Sequence, residues 1–573
     1  MPERPDRRWV KIEVDEVAAS ALATALGIEV RWARMLVSRG VRDVETARRF
    51  LTPSLTDVPD PSVMRGLDRA AERLVEAIVR GDRVALYGDY DVDGVTSTVL
   101  LATFLQAVGL APRTYIPQRL SEGYGLNPGA VDVLAGEGIQ LLVTLDCGIT
   151  AGDEIAKANA LGIDCIVVDH HRCPPELPPA YAVLNPHQPD CAYPDKGLAA
   201  VGVCFNLLIG VRRVMRNRGL FNADRAEPNL RRLLDLVALG TIADMVPLTG
   251  VNRTLVRFGL EELRAARRPG VRALLDVAAV RASKAQSGDV AFKLGPRINA
   301  AGRLADADVG VRLLLAQTME EARPLADRLE AANGARQRLD AEVFAAAHAQ
   351  VMAMGENLPA AIVVYDDAWH PGVVGIVASK IVEAFARPTI IIGQGGRGSA
   401  RTSRGVHVYD AIAQASRHLR KFGGHRAAAG LSLDPGDIPA FRADFVAAVE
   451  RDPGLDISAS DLAFDDDLDA HEVDFRCFEE IARFEPFGNG NPEPLFRLRY
   501  AQVASARVIG KNHLKMRIAP TTGSTLEAIA WRRGDLEPQL APGRRVELAF
   551  HVEKNEFSGV ETIELEVRDL HLL

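Results

Sequence analysis

The spacing of apolar positions changes several times along the chain, and each change predicts a change of architecture. From Arg83 to about Val246, short apolar runs (Val84–Tyr87, Leu141–Leu145, Cys165–Val168) alternate with helical patterns such as Ser97–Val108. Runs that are apolar on both faces suit strands covered on both sides, so this stretch predicts a parallel α/β sheet. Val309 to Met354 is rich in Ala, Leu, Glu and Arg, with apolar residues three or four apart, which predicts a long helical connector. Pro324 is expected to kink that connector or open a new helix, because proline removes a donor and crowds the preceding turn. A second α/β segment follows, with strands Ala361–Tyr365 and Thr389–Ile392 around a helix near Val377–Ala386. Beyond Leu495 apolar and polar residues alternate, as in Leu514–Ile518 and Arg545–Phe550, which predicts an antiparallel β-barrel. The expected fold is therefore α/β multidomain: an N-terminal helical segment (1–48), a parallel-sheet domain (49–285), a connector with long helices (286–355), a second α/β domain (356–455) and a barrel (456–573).

Composition changes this picture little. A chain of 573 residues exceeds the size of one core, and 47% apolar with 25% charged residues is ordinary for a globular protein. The six cysteines (Cys147, Cys165, Cys173, Cys191, Cys204, Cys477) show no C-x-x-C spacing, so reduced, buried thiols are expected rather than zinc ligands or disulfides. Met1 to Lys11 does not read as a signal peptide, and no apolar run reaches the roughly 20 residues of a membrane span, so a cytoplasmic location is expected. The net charge of −8 gives no sign of nucleic-acid binding, so any such binding must use local patches. One candidate is Arg397 to Arg426, where Arg397, Arg401, Arg404, Arg417, Arg420, Lys421 and Arg426 face a single acid, Asp410.

The chemistry is concentrated in Gly88-Asp89-Tyr-Asp91-Val-Asp93-Gly94, placed after an apolar strand and before a helix. An EF-hand loop opens similarly, but its twelfth position needs Glu; here it is Leu100, and a strand precedes the loop. Further acids are expected at the ends of later strands: Asp146, then Asp169-His170-His171, then Asp244 in Gly240–Pro247. Open parallel sheets bind ligands beyond the carboxyl ends of their strands, so these segments are expected to meet at one edge. Singly, such an Asp is more often a helix cap and such a His pair more often structural; four motifs together argue for a site. Like charges this close need cations. Two divalent metals about 3.5–4 Å apart would neutralise them and suit attack on phosphorus. Oxygen and imidazole ligands without thiolate favour Mn²⁺ or Mg²⁺.

At these residues the chain resembles the DHH phosphoesterase superfamily, whose namesake is Asp169-His170-His171. The likeness runs from about Arg49 to Leu433 and is nearest to the superfamily's single-strand-specific DNA exonucleases, on Gly88–Gly94, Leu145–Gly148 and Gly240–Pro247. The resemblance implies a metal-dependent phosphodiesterase in which Asp89 and Asp91 serve one metal and Asp93, His170 and Asp244 a second, with Asp146 bridging. His171 is left either to contact the scissile phosphate or to support the ligands, and Asp169 to orient a histidine from behind the ligand set.

A two-metal site alone equally suits a pyrophosphatase or a dinucleotide phosphodiesterase. Arg297, Asn299 and Arg303, within Gly295–Arg303, read either as a Gly-containing loop gripping phosphate or as a structural turn with solvated arginines. Gly398–Arg401 and Gly423–Gly430, which include Ser399, Arg401, Gly424 and His425, resemble the DHH-associated nucleic-acid-binding domain, as does His370–Gly375. The resemblance implies that this domain faces the catalytic one across a cleft, and that Ser399 and Arg401, with Arg303 and Arg119, hold a terminal 5′-phosphate. It also implies an OB-like barrel, where Tyr500, Lys511, His513, Lys515, Arg517, Trp531, Arg532 and Arg533 are available to single strands or serve only the barrel itself. The expected function is 5′-to-3′ hydrolysis of single-stranded DNA in recombination and repair by a monomer, with a single-strand-binding protein and a RecQ-type helicase as partners. The rival readings are an enzyme on short oligonucleotides or cyclic dinucleotides, and a non-catalytic single-strand-binding protein.

Overall fold

The structure, a computed structural model, describes residues 7–118, 122–123, 125–304, 307–402, 405–455, 461–520, 524–557 and 559–573. They form two compact units. The larger comprises Arg8–Pro296, Gly310–Arg323 and Asp461–Leu573; the smaller is built from Arg297–Val309 and Pro324–Ser460.

In the larger unit five parallel strands lie in the order Arg113–Tyr115, Val84–Gly88, Leu141–Leu145, Asp164–Val168, Ala182–Leu184. Val84–Gly88 and Leu141–Leu145 are buried along their whole length, which explains their unbroken apolar pattern. The strand after Val84–Gly88 joins one side of it and the next joins the other, so the chain reverses direction across the sheet at Gly88, where a ligand crevice opens. Helix Val92–Ala107 starts in that crevice and is buried on nearly every side.

The C-terminal strands close a five-stranded barrel in the ring order Phe496–Ile509, His513–Ala519, Leu526–Ala530, Val560–Leu572, Arg545–Phe557, the last pairing back on the first. The expectation of a purely antiparallel barrel needs correcting: Leu526–Ala530 and Val560–Leu572 run parallel, and the short strand Asp466–Asp467 adds in parallel to Phe496–Ile509. Alternation fixes which side chains face inward but not strand direction. Helices Glu16–Leu26, Val30–Ser38 and Val44–Leu51 share this barrel's core, where Leu22, Trp32, Leu36 and Phe50 pack in one cluster with Phe484, Phe496 and Phe550.

The smaller unit has a mixed sheet ordered Lys421–Gly424, Ala428–Ser432, Arg397–Arg401, Thr389–Ile392, Ile362–Tyr365, of which only the last two pair in parallel. Gly398–Arg401 and Gly423–Gly424 therefore lie on strands. Gly295–Leu304 is a helix, not a loop; it continues directly from the π-helical turn Val290–Leu294, so Pro296 lies within a helical run. Pro324 neither starts nor ends a helix: Met319–Met352 runs through it as one helix of 34 residues, and the division between the units falls at Arg323/Pro324. So near the N-terminal end, proline forfeits a single backbone bond. The basic stretch is also less exposed to unmatched charge than its sequence suggests, since Arg417 pairs with Asp444 at 2.7 Å and Arg420 with Asp434. All six cysteines are free thiols, and no described helix is long and apolar enough to cross a membrane.

Arg253, 2% exposed on helix Gly250–Ala265, joins three parts of the larger unit. Its guanidinium donates to the carbonyls of Phe50, Arg483 and Phe484 at 2.8–3.1 Å and lies 3.8 Å from the centre of the Phe50 ring. Arg253→Met would leave these buried acceptors without donors and should lower unfolding free energy by about 2–4 kcal/mol. Arg253→Lys should recover only part, because an ammonium lacks the planar fork. Guanidinium-chloride midpoints measure both; a loss below about 0.5 kcal/mol for Arg253→Met would remove this role.

Candidate metal centre and phosphate site

The carboxyl edge of the parallel sheet gathers Asp89, Asp91, Asp93, Asp146, Asp169, His170, His171 and Asp244. Three sets of possible ligand atoms each fall within 4.8 Å of one another: Asp89, Asp91 and Asp146; Asp93, His170 and Asp244; Asp146, His170 and His171. Asp146 belongs to two of them. His170 Nε2 lies 3.3 Å from Asp146 Oδ1, 3.6 Å from Asp244 Oδ2 and 3.9 Å from Asp93 Oδ2.

The backbone builds this density of charge. Asp91 is the N-cap of helix Val92–Ala107, its Oδ1 accepting from the N–H groups of Asp93 (2.9 Å) and Gly94 (3.1 Å). Asp146 follows Leu145 with φ +63°, a left-handed conformation that turns its side chain off the strand's course. Gly94 has no room for a Cβ, which would stand 2.4 Å from the Asp89 carbonyl oxygen; at Gly240 a Cβ would stand 2.3 Å from Thr96 Oγ1 and 3.1 Å from Asp93 Oδ1. These two glycines let the acidic loop fold back on itself and let helix Leu234–Ala243 approach it.

Asp244 was expected at a strand end, but it caps the C-terminus of helix Leu234–Ala243, which delivers it to the same place. That stretch is buried almost all round, and such a run reads alike as strand or helix. Sequence reasoning also missed the groups that hold Asp93: the N–H groups of Ala200 and Val201, at 2.7 and 2.9 Å, from the first turn of helix Ala200–Asn217. Main-chain donors leave no side-chain signature.

Asp169 stands behind the histidines. Its Oδ1 accepts from the backbone of His170 (2.7 Å) and His171 (3.0 Å) and pairs with His171 Nδ1 (2.8 Å), while Oδ2 accepts from Ile149 N–H (3.1 Å). Burial opposes its charge, but these bonds outweigh it and hold its pKa below the usual carboxylate range. Burial would likewise lower the His171 pKa, yet the bond and charge of Asp169 raise it. His170 goes the other way, pushed down to about 4 by burial and then by His171, and is neutral at pH 7. Burial, then the neighbouring acids, raises Asp93 to about 7, Asp244 to about 9, and Asp146 well above the ordinary range.

These residues fit divalent cations. Asp146 Oδ1, His170 Nε2 and Asp244 Oδ2 are buried and accept no hydrogen bond from the described residues, and the two carboxylate oxygens lie 3.3 and 3.6 Å from His170 Nε2. Buried polar atoms are rarely left so without a ligand to satisfy them. The donor set, carboxylate and imidazole without thiolate, suits Mn²⁺ or Mg²⁺.

A second cluster lies within the smaller unit. Ser399 and Arg401, on strand Arg397–Arg401, converge above Gly375 of helix Pro371–Phe385, where a Cβ would stand 3.4 Å from Ser399 Oγ and 3.0 Å from Arg401 Nη2. Arg303 Nη1 donates to the Gly372 carbonyl at 3.1 Å, in the first turn of the same helix, whose N-cap is His370. A helix N-terminus flanked by two arginines and a hydroxyl favours an anion. Arg297 pairs with Glu330 at 2.6 Å, and Asn299 lies on helix Gly295–Leu304. Gly424 and exposed His425 lie on the hairpin that joins Lys421–Gly424 to Ala428–Ser432. Arg119 lies outside the described residues. Of the barrel residues, Trp531 and Tyr500 are exposed, and the His513 ring meets Trp531 edge-on at 4.9 Å.

The fold and its acidic edge define a class: residues 83–241 match the DHH family N-terminal domain, residues 357–451 the DHHA1 domain and residues 464–569 the RecJ OB domain. The Salmonella typhimurium protein named single-stranded-DNA-specific exonuclease RecJ is 39% identical over 557 residues, spanning 94% of this chain and 95% of its own length. The crystal structure of RecJ in complex with Mn²⁺ from Thermus thermophilus matches all of this chain with 80% of its own, at TM-score 0.83 and 33% identity. The Mg²⁺ complex from the same organism matches all of this chain with 79% of its own, at TM-score 0.77 and 31% identity. This chain belongs to the RecJ family.

Because burial and the neighbouring acids push Asp244 up to about 9 and Asp146 well above the usual carboxylate range without metal, Mn²⁺ binding should displace protons. Titration calorimetry at pH 7.5 in two buffers of different ionisation enthalpy should therefore give different apparent heats, and affinity should rise towards pH 9. Equal heats would contradict this protonation pattern.

Proposed function

We propose that this chain is a single-strand-specific 5′-to-3′ exodeoxyribonuclease that hydrolyses phosphodiesters at two divalent metal ions. The approach of Asp146 Oδ1 and Asp244 Oδ2 to His170 Nε2, all three buried and without hydrogen bonds from the described residues, carries the metal half of this reading. The named relatives supply the substrate class. Asp89 and Asp91 would hold one ion, Asp93, His170 and Asp244 the other, and Asp146, which shares one ligand set with Asp89 and Asp91 and another with His170 and His171, both. Bound there, the ions supply Lewis acidity towards phosphate and a nucleophilic water at neutral pH.

The chain's own groups do the rest. Neutral His170 offers Nε2 as a donor pair. Asp169 fixes the His171 ring through Nδ1 and favours its cationic form, which suits contact with the scissile phosphate. Arg303, Ser399 and Arg401 hold a terminal 5′-phosphate at the N-terminus of helix Pro371–Phe385, so the end that binds determines which ester is cut. Arg119, Arg297, Asn299, Gly424 and His425 complete the DNA-contacting set of this reading. The segments 1–48, 49–285, 286–355, 356–455 and 456–573 are its working parts. An activity that consumes only single strands needs duplex to be opened and its strands kept apart. That need places the enzyme in cytoplasmic recombination and repair beside a helicase of RecQ type and a single-strand-binding protein.

The test uses 5′- and 3′-labelled single strands, duplex and RNA, each with Mn²⁺, Mg²⁺ or chelator. Single-stranded DNA should release labelled mononucleotide early from the 5′ end, and only with metal; early release from the 3′ end would sink the polarity. Asp146→Asn should lower kcat at least about a hundredfold. Arg401→Ala should instead abolish the preference for a 5′-phosphate over a 5′-hydroxyl.

A further inference from the structure

Asp244 is held unlike Asp93 and Asp169. Both oxygens of Asp93 and both of Asp169 take backbone donors. Asp244 Oδ2 is buried and accepts no hydrogen bond from the described residues, so its aim is inherited from the backbone on either side. On one side the Asp244 N–H donates to the Gly240 carbonyl at 2.9 Å and ends the helix. On the other the chain turns at Met245, whose φ of +62° is disfavoured for a residue with a side chain and must be held from outside the turn.

The holding groups come from the segment that leads into the barrel. Asn489 Nδ2 donates to the Met245 carbonyl at 2.6 Å, and the Asn489 carbonyl accepts from Leu248 N–H at 2.7 Å. Asn489 thus spans the turn that follows Asp244. Its own loop is pinned on both sides: Gly488 and Asn491 pair as an antiparallel bridge, and fully buried Asn491 donates to the carbonyls of Phe484 and Pro486 and accepts from Arg39 Nε. Contact with the metal loop is close enough that a Cβ at Gly488 would stand 2.7 Å from Leu248 Cδ1, and one at Gly490, where φ is +72°, 3.1 Å from Pro247 Cβ. The run Gly488-Asn-Gly-Asn-Pro492 is a turn signal that carries this meaning only once its partner is seen.

We propose that Asn489 is a positioning residue for the metal held by Asp93, His170 and Asp244: by fixing the Met245 peptide it sets where the Asp244 carboxylate points. The proposal rests on the two-metal reading above. Groups that orient ligands in this way typically change metal affinity 10- to 100-fold when removed.

Asn489 is exposed, so Asn489→Ala and Asn489→Asp should both fold. Free Mn²⁺ is followed by its electron paramagnetic resonance signal as metal is titrated into metal-free wild type and each variant. Wild type should show two sites. In both variants one site should keep its affinity while the other weakens roughly 10- to 100-fold, with thermal unfolding of the metal-free protein unchanged. Activity should return at high Mn²⁺ with KM for single-stranded DNA as in wild type. Wild-type affinity at both sites in both variants would overturn the proposal, as would equal weakening of both sites with a lowered melting temperature, the mark of a merely structural role. A wild type that binds no Mn²⁺ would remove the two-metal reading itself, and this proposal with it.

Discussion

Mutual repulsion among buried carboxylates is the constraint around which the larger unit is organised. Asp89, Asp93 and Asp146 are almost wholly buried at one sheet edge, with Asp91 and Asp244 beside them. Nothing in their own interactions would bring them together. What assembles them is backbone: a strand crossover that opens a crevice, a helix N-terminus behind Asp93, a left-handed residue at Asp146, and glycines where chain must pass within contact distance of chain. The stability given up by crowding the acids is supplied by the apolar sheet and the largely buried helix beneath them. The scaffold is thus built for a charge distribution that only a cation completes.

The same logic separates the two histidines of one tripeptide. His170 is stripped of solvent and pushed towards neutrality, as a ligand must be, whereas His171 is tied to Asp169 and pushed towards the cation. One carboxylate, placed behind the pair and itself braced by three main-chain donors, is sufficient to give adjacent identical side chains opposite electrostatic characters.

Much of this was legible in the residues because the signals were local. The acidic loop, the histidine pair and the strands before them are contiguous, so period and spacing placed Asp89, Asp91, Asp93, Asp146 and His170 at one edge. Where the reading failed, the deciding interaction was non-local or belonged to the main chain. Asp244 was assigned to a strand because a run buried on all sides has no period. Gly295–Arg303 reads as a loop or turn in the sequence, because glycine and proline mark both turns and close approaches, yet lies on a helix. The basic stretch looked unpaired because Asp434 and Asp444 lie outside it in sequence. The parallel closure of the barrel, the amides behind Asp93 and the reach of Asn489 leave no pattern in the segments that make them.

The larger unit is also assembled from opposite ends of the sequence. Strand Trp9–Lys11 pairs with Leu462–Phe464, the Trp9 indole stacks on His571 at 4.1 Å, and its Nε1–H donates to Asp569 at 2.9 Å, 560 positions away. At ribosomal speeds that separation corresponds to roughly half a minute to two minutes of synthesis. Throughout it the first helices expose the apolar faces that the barrel will later cover, while the smaller unit, emerging in between, is free to complete its own sheet. The order of completion therefore runs against the order of synthesis: what is made first is finished last, and a nascent chain of this kind has most need of chaperone cover at its N-terminal end.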